Sequence, residues 1–353
     1  MENNRHTVLI VGNFLSAARG SRGVCEELAE RLPALGWRVL TASRRRPRLL
    51  RLADMLRTVA MRRDDYAIAQ VEVFSGPAFF WAEVVGFALK RLAKPFVLTL
   101  HGGNLPAFAA RWPGRARRLL GAADVVTAPS AYLASGLRPY CGAIRVIPNP
   151  VEIAAYPWRE RNSAAPKLVW LRAFHEIYNP VMAVKAAAIL APDFPTLSLA
   201  MAGPDKGDGS LRQSMAAAAA AGLNGRIRFL GQVEKREVPR VLGQADLFLN
   251  TANVDNAPVS VIEAMACGLC VVSTNVGGIP YLLRHGQEAL LVPPGDVAAM
   301  AGAVRRLLES DELCLTLSRN ARSAAGAFNS PGVVATWNDL LHSVISLRCR
   351  PGQ

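Results

Sequence analysis

The sequence predicts an α/β chain made of two doubly wound, Rossmann-like domains. Three observations lead there. Short β-rich runs alternate with helical patterns from Thr7 onward. The alternation stops at Pro148-Asn-Pro150 and restarts near Leu168. A length of 353 residues exceeds one ordinary core and suits two. Alternation of this kind implies parallel strands whose crossover helices cover both faces of a sheet.

In the first half, strands are predicted at Thr7–Val11, Arg38–Ala42, Ile68–Val73, Phe96–Leu100, Val125–Ala128 and Ile144–Ile147. Helical periodicity fills Gly23–Leu35, Pro47–Arg63, Pro77–Leu92, Pro106–Leu120 and Ser130–Leu137. Residues 1–150 thus form the first domain. Residues 151–166 hold prolines and charged clusters without a period and read as a linker. In the second domain, 167–330, strands are predicted at Leu168–Leu171, Leu197–Ala202, Arg228–Leu230, Leu247–Asn250, Cys270–Ser273 and Ala289–Val292. Its helices are Pro180–Leu190, Ser210–Ala221, Val238–Gly243, Val259–Ala266, Val297–Glu309 and Glu312–Ala325. Within 331–353 a last helix, about Gly332–Leu347, has room to cross back onto the first half. The loops at the two sets of strand ends are then expected to face one another across a central cleft.

Composition narrows the function classes. Half the residues are hydrophobic, yet no apolar run reaches the ~18–20 uncharged residues of a membrane span. The start leads straight into a strand, so no secretory signal is expected. Six cysteines scattered through a long chain suit a reducing compartment. A cytoplasmic location follows as the expectation. The net charge of +14 is uneven: residues 1–150 carry 22 Lys and Arg against 10 Asp and Glu, whereas 151–353 carry 19 against 17. Arg44-Arg-Arg-Pro-Arg48, Arg62-Arg63, Lys90-Arg91 and Arg111 to Arg118 concentrate the excess. Such a half favours an anionic surface, with peripheral contact to a membrane as one form. Nucleic acid has no motif behind it and is not expected as a partner.

The most informative stretch is Asp255-Asn-Ala-Pro-Val-Ser-Val-Ile-Glu263-Ala-Met-Ala-Cys-Gly268. Its two acids stand eight positions apart, where a loop leaves one strand and enters a helix. In open α/β sheets that end of the strands binds ligands. The acids suit either a general acid/base pair or acceptors for ribose and sugar hydroxyls; acids at a helix start also simply favour the macrodipole. Val276-Gly277-Gly278-Ile279-Pro280 turns the chain back near the same site. His101-Gly-Gly-Asn104 follows a strand directly, and its glycines permit close ligand approach. Arg172 ends another strand and has the fork to hold a diphosphate. Gly20-Ser-Arg-Gly23 precedes the first helix, where backbone N–H groups meet phosphate; Gly12 and Gly20 are too far apart for a dinucleotide G-x-G-x-x-G. Gly203-Pro-Asp-Lys-Gly-Asp-Gly209 reads as a surface loop without a D-x-D pair.

Two further segments read as structural. Cys267-Gly-Leu-Cys270 has C-x-x-C spacing but no second pair, so core packing is expected. Pro47–Arg63 carries a stripe of Leu49, Leu52, Leu56 and Val59, expected to face the core, with arginines opposite that suit lipid headgroups.

Taken together, these segments resemble the retaining nucleotide-sugar glycosyltransferases of family 4, which have GT-B architecture. Asp255 to Glu263 matches that family's E-x7-E motif with Asp in first place. Glu263-Ala-Met-Ala-Cys-Gly, Val271-Val-Ser-Thr, Val276-Gly-Gly-Ile-Pro, Ile147-Pro-Asn-Pro-Val, His101-Gly, Ala128-Pro-Ser and Ala289-Leu-Leu-Val-Pro-Pro-Gly-Asp296 follow its wording in order. The resemblance implies that Glu263 holds ribose hydroxyls, and that Asp255 with the backbone of Asn256, Ala257 and Val259 binds the donor sugar. It implies that Arg172 stabilises the departing diphosphate, that Gly23 lies against that diphosphate, and that His101 contacts the sugar. A nucleotide-diphosphate sugar is the expected donor, a glycan or lipid-linked molecule the acceptor. Neither cofactor nor metal is expected. The family has a Lys five residues after the Arg; here Ile177 and Tyr178 stand there, leaving His175, Lys185 and Lys206 as candidate substitutes. A non-catalytic family member that binds without turnover is the alternative this departure motivates. A two-domain dehydrogenase or epimerase is disfavoured by the missing glycine fingerprint.

Overall fold

The computed structural model describes residues 6–15 and 24–349. The chain divides into two compact units: Met1–Pro150 with Ser330–Gln353, and Val151–Asn329. The first unit contains β1 (Thr7–Val11), β2 (Arg38–Ala42), β3 (Ile68–Val73), β4 (Phe96–Leu100), β5 (Val125–Ala128) and β6 (Arg145–Val146). They form one parallel sheet in the order β2-β1-β3-β4-β5-β6. β1 and β4 are buried at every position, which is why their sequences run apolar rather than alternating.

Helices Arg48–Met61, Pro77–Arg91 and Pro113–Leu120 pack side by side in this unit. The predicted helix 23–35 ends at Arg31 and tightens to a 3-10 turn over Leu32–Leu35, because Pro33 cannot donate to the ladder. The predicted helix 106–120 is two helices, Leu105–Arg111 and Pro113–Leu120. Trp112, pushed out of helical geometry at φ −129° by the following proline, separates them. Helix Ala131–Cys141 runs past its predicted end, taking Pro139 into its last turn.

The second unit contains β7 (Lys167–Leu171), β8 (Ser198–Ala202), β9 (Ile227–Gly231), β10 (Leu247–Asn250), β11 (Cys270–Thr274) and β12 (Ala289–Val292). The order is β12-β11-β10-β7-β8-β9, again all parallel. Both sheets therefore reverse their winding direction once, between β1 and β3 and between β7 and β10. Those are the topological switch points where side chains from neighbouring strand ends converge.

Two boundaries differ from the sequence reading. Residues 151–166 are not a free linker. Val151, Ile153 and Tyr156 enter the second unit's core. Arg161, 2% exposed, donates to Ala245 O at 2.9 Å and Arg159 O at 2.6 Å and pairs with Asp246. Prolines erase periodicity there without preventing burial. The last helix, Ser330–Cys349, buries Val334, Trp337, Leu341 and Val344 against Val8 and Ile10 of β1 in the first unit. Each such side chain contributes about 1.5–3 kcal/mol of burial before entropy. Trp37 Nε1 donates to Asn338 Oδ1 at 3.0 Å and Arg348 bonds Asp124 at 2.8 Å, holding the middle and the C-terminal end of that helix.

The stripe expected on 47–63 holds in part: Val59 is buried and Leu56 packs on the core, but Leu49 does not join them. Arg51, Met55 and Val59 are the buried positions of the helix, while Leu49 is 83% exposed. Arg51 is satisfied inside by Arg45 O at 2.7 Å, Arg46 O at 2.7 Å and Asn13 Oδ1 at 2.9 Å, so the guanidinium replaces a leucine as the inward group. Cys267 and Cys270 are buried free thiols, as core residues should be.

Candidate active site

In the second unit the switch point brings the ends of β7 and β10 together. Arg172 leaves β7, and the loop from Thr251 to Pro258 leaves β10 and enters helix Val259–Ala266. That helix is buried on nearly all sides, which its Val/Ile/Ala/Met composition permits. It starts after Pro258 with no side-chain cap, leaving its first N–H groups at the loop.

Arg172 Nη2 and Asp255 Oδ2 form an ion pair. Asp255 Oδ1 accepts the backbone N–H of its neighbour Asn256 at 2.9 Å, fixing the carboxylate plane. The ring of Tyr178 lies over the guanidinium, 4.3 Å from Cζ to centroid. Tyr178, one residue past Ile177 where the resemblance expects a lysine, thus contributes a π face to Arg172 rather than a charge. Its backbone is held by Thr251 Oγ1, which donates to Tyr178 O at 2.8 Å and accepts from Trp170 Nε1 at 2.9 Å. Despite these contacts Arg172 Nε is buried without a partner among the described residues, and so is Ser260 Oγ in the first turn of the helix. A buried donor is costly to leave unpaired.

Glu263 is 3% exposed, one and a half turns along the helix. Tyr156 Oη donates to its Oε1 at 2.6 Å, and Lys235 Nζ is ion-paired to the same oxygen. Asn256 is buried, whereas Ala257 and Val259 are half-buried. The Val276-Gly-Gly turn lies directly on this loop: a Cβ on Gly278 would sit 1.8 Å from Asn256 O, and one on Gly277 2.1 Å from Asp255 O. Gly278 N–H donates to Asp255 O at 3.1 Å.

Three cations were candidate substitutes for the lysine. His175 Nδ1 accepts from Ile177 N–H at 3.2 Å and lies 3.9 Å from Asp208. The backbone N–H of Ser210, followed by that of Glu176, holds the Asp208 carboxyl down at about 2. Lys185 and Lys206 are exposed. Asp205 and Asp208 cap their own loop through Gly207 and Ser210 N–H groups. Among the described residues no group of three or more His, Cys, Asp or Glu gathers into a metal-binding cluster.

In the first unit, His101 follows β4 and is buried, its ring stacked on Phe74 at 5.0 Å and 21°. Its backbone N–H donates to Val73 O at 2.8 Å. Gly23 and the 20–23 loop lie outside the described residues. The structure therefore brings Arg172, Asp255 and Asn256 together, with Glu263 on the helix that follows their loop, and sets the His175 ring 6.5 Å from that of Tyr178. Tyr156, Lys235 and Ser260 join the site without having been singled out in the sequence.

A family model described as Glycosyltransferase Family 4 matches residues 18–155, and one described as Glycosyl transferases group 1 matches residues 159–324. The N-acetyl-alpha-D-glucosaminyl L-malate synthase of Bacillus anthracis is 31% identical over 124 residues, which are 35% of this chain and 32% of that protein. The D-inositol 3-phosphate glycosyltransferase of Geodermatophilus obscurus is 28% identical over 268 residues, 70% of this chain and 59% of that protein. The chain thus matches less than two thirds of the length of either relative. Among solved structures, sucrose-phosphate synthase from Thermosynechococcus elongatus superposes with a TM-score of 0.78 at 19% identity, covering 97% of this chain and 100% of its own. HepE from Anabaena, solved with UDP and glucose, gives 0.74 at 18% identity, covering 96% and 100%. These likenesses share two six-stranded parallel sheets with this chain. With the two family matches running almost end to end over its two sheets, the chain belongs to the family 4 glycosyltransferases of GT-B architecture.

Proposed function

We propose that the chain transfers a sugar from a nucleotide-diphosphate sugar to a hydroxyl of a glycan or lipid-linked acceptor, with retention of configuration and without a metal. The observation that carries this reading is Arg172, braced by Asp255 and Tyr178 at the switch point with its Nε buried and unpaired among the described residues. In the transfer, the bond from the anomeric carbon to the diphosphate breaks and charge develops on phosphate oxygen. A preorganised guanidinium aimed there lowers the barrier, and one such donor is worth about 10²–10³ in rate. The N-terminus of helix Val259–Ala266 adds fixed positive potential. The acceptor hydroxyl attacks the same sugar face and passes its proton to the leaving phosphate.

Glu263 is read as the ribose acceptor. Its ligand-free partners, Tyr156 and Lys235, keep the buried carboxylate oriented until hydroxyls replace one of them. Asp255 and the backbone of Asn256, Ala257 and Val259 are read as the donor-sugar cradle. His101 is read as a second contact of that sugar, and Gly23 as a diphosphate contact. UDP-linked sugars head the donor panel, because HepE, which shares the fold, holds UDP.

The test is a thermal-shift screen of nucleoside diphosphates and their sugars on the wild type and on Glu263→Ala. A ligand at 100 times its Kd stabilises by about 2.7 kcal/mol. The reading expects one nucleotide to raise the wild-type melting temperature and to fail with Glu263→Ala. No shift with any nucleotide would contradict it.

An anionic membrane surface is the reading we attach to the first unit. Supporting it, Phe80 and Phe87 are 51% and 61% exposed on helix Pro77–Arg91. They line a groove of about 590 Å³ together with Lys90, Arg91 and Arg118. Apolar tips rimmed by cations suit a layer of acyl chains under anionic headgroups. No helix among the described residues is long and apolar enough to cross a membrane.

A further inference from the structure

A buried carboxylate in the first unit has no role in the reading above. Glu72 sits at the carboxyl end of β3, beside the switch point, with its side chain 4% exposed. Burying a carboxylate is costly unless it is paired and hydrogen-bonded. Among the described residues, His101 is the only basic side chain within ion-pair distance: its Nε2 lies 3.4 Å from Glu72 Oε1. The same oxygen accepts the backbone N–H of Cys25 at 3.2 Å, in the first turn of helix Val24–Arg31. Burial, and then the neighbouring Glu72 carboxylate, push the Cys25 thiol well above its ordinary value.

The cradle is built from three strand ends. β1 and β3 are paired with Val11 opposite Val71, and β3 and β4 with Val73 opposite Leu100. This register sets Gly12 beside Glu72, and His101 two positions beyond Thr99, the residue opposite Glu72, on the same face of the sheet. Gly12 leaves the room: a Cβ there would lie 2.7 Å from Glu72 Oε2 and 3.0 Å from Cys25 Sγ. Phe74 covers one face of the imidazole. His101 Nε2 is buried and makes no hydrogen bond of good geometry, so a small ring rotation toward Oε1 is the one way to satisfy it among the described residues. Hydrogen bonds of this kind are often long without ligand and tighten when it binds.

We propose that Glu72 is a positioning residue for transfer: it holds the proton of His101 on Nε2, fixing the ring so that Nδ1 is the position offered to a ligand. The partner of one imidazole nitrogen decides what the other presents. Because Oε1 also takes the Cys25 N–H, Glu72 ties the histidine to the start of the first helix. The part that concerns transfer rests on the reading that His101 contacts the sugar; the pairing itself does not.

Long-range ¹H–¹⁵N spectra of the protein labelled at its five histidines separate the two. The His101 signals are assigned by their loss in His101→Gln. The expected result is a proton on Nε2 in the wild type, mixed tautomers in Glu72→Gln, and recovery in Glu72→Asp. In transfer assays Glu72→Gln lowers kcat about 10- to 100-fold, the scale of one lost charge-assisted hydrogen bond, with nucleoside-diphosphate affinity unchanged. A bare Nε2 in the wild type overturns the proposal even if the Glu72 variants do not fold, and so do His101 signals that do not respond to Glu72→Gln. If the tautomers behave as expected but no donor turns over, the functional reading fails and the Glu72–His101 pairing stands.

Discussion

At the scale of single residues, Arg172 carries the account. Its guanidinium is held from one side by charge and from another by a ring. Removing the ring should loosen it without removing it: Tyr178→Leu is expected to lower kcat several-fold, in line with about 0.5–2 kcal/mol for a cation–π contact. Tyr178→Phe should match the wild type, since only the ring face is used. Equal losses in both variants would show that the hydroxyl, not the face, matters. The glycine turn offers a stability test. Gly278→Ala places a methyl against Asn256 O, and overpacking of this kind costs about 1–3 kcal/mol. Melting temperature and nucleotide affinity should fall together; an unchanged melting curve would contradict the close approach.

Arg172, Asp255, Glu263 and His101 were legible in the sequence because each stands at a fixed offset from a strand end. Tyr156 and Lys235 were not. They meet Glu263 across 107 and 28 positions of sequence, and no local period encodes such a contact. Glu72 lay hidden for a related reason: within β3 it alternates with Gln70 as if it pointed to solvent. Its burial becomes visible only once β1 and β4 flank it.

At the scale of elements, most strands and helices were readable, since buried parallel strands and amphipathic helices leave strong patterns. The exceptions have physical causes. The segment 151–166 lacks periodicity but is fastened by Arg161, whose pKa burial first, and then Arg159, lowers. Arg161→Ala leaves Ala245 O and Asp246 without that partner, and breaking such a buried pair costs about 3–5 kcal/mol. Urea unfolding should show the loss; a shift under about 1 kcal/mol, the range of surface pairs, would mean the segment is not integral to the second unit. The helix Arg48–Met61 was misread because Arg51, a charge, takes the inward position.

That correction also moves the expected membrane contact toward helix Pro77–Arg91. Phe80→Ser with Phe87→Ser should abolish co-sedimentation with phosphatidylglycerol vesicles, while neutral phosphatidylcholine vesicles bind neither protein. If only the loss of Arg44–Arg48 charge reduces binding, the groove is not the docking site. Binding by the double variant equal to wild type would exclude both phenylalanines.

At the scale of the whole molecule, charge and chemistry separate along the chain. The basic excess lies almost wholly in residues 1–150, whereas the braced arginine and the buried acids of the candidate donor site lie in Val151–Asn329. Vesicle binding should therefore weaken as salt rises past the ~8–10 Å Debye screening regime, while nucleotide binding to the second unit should change little. A parallel fall of both with salt would argue against this division. The family was legible from ordered motifs at this scale. The donor and acceptor were not, because hydroxyl recognition depends on atoms placed by folded loops rather than on residue types.

The most direct measurement follows release of nucleoside diphosphate from a panel of nucleotide sugars, with the anomeric configuration of the product read by NMR. The account predicts turnover of at least one donor with retained configuration. It also predicts a fall of about 10²–10³ in Arg172→Ala in a variant that still unfolds cooperatively. Turnover untouched by Arg172→Ala, or an inverted product, would contradict it.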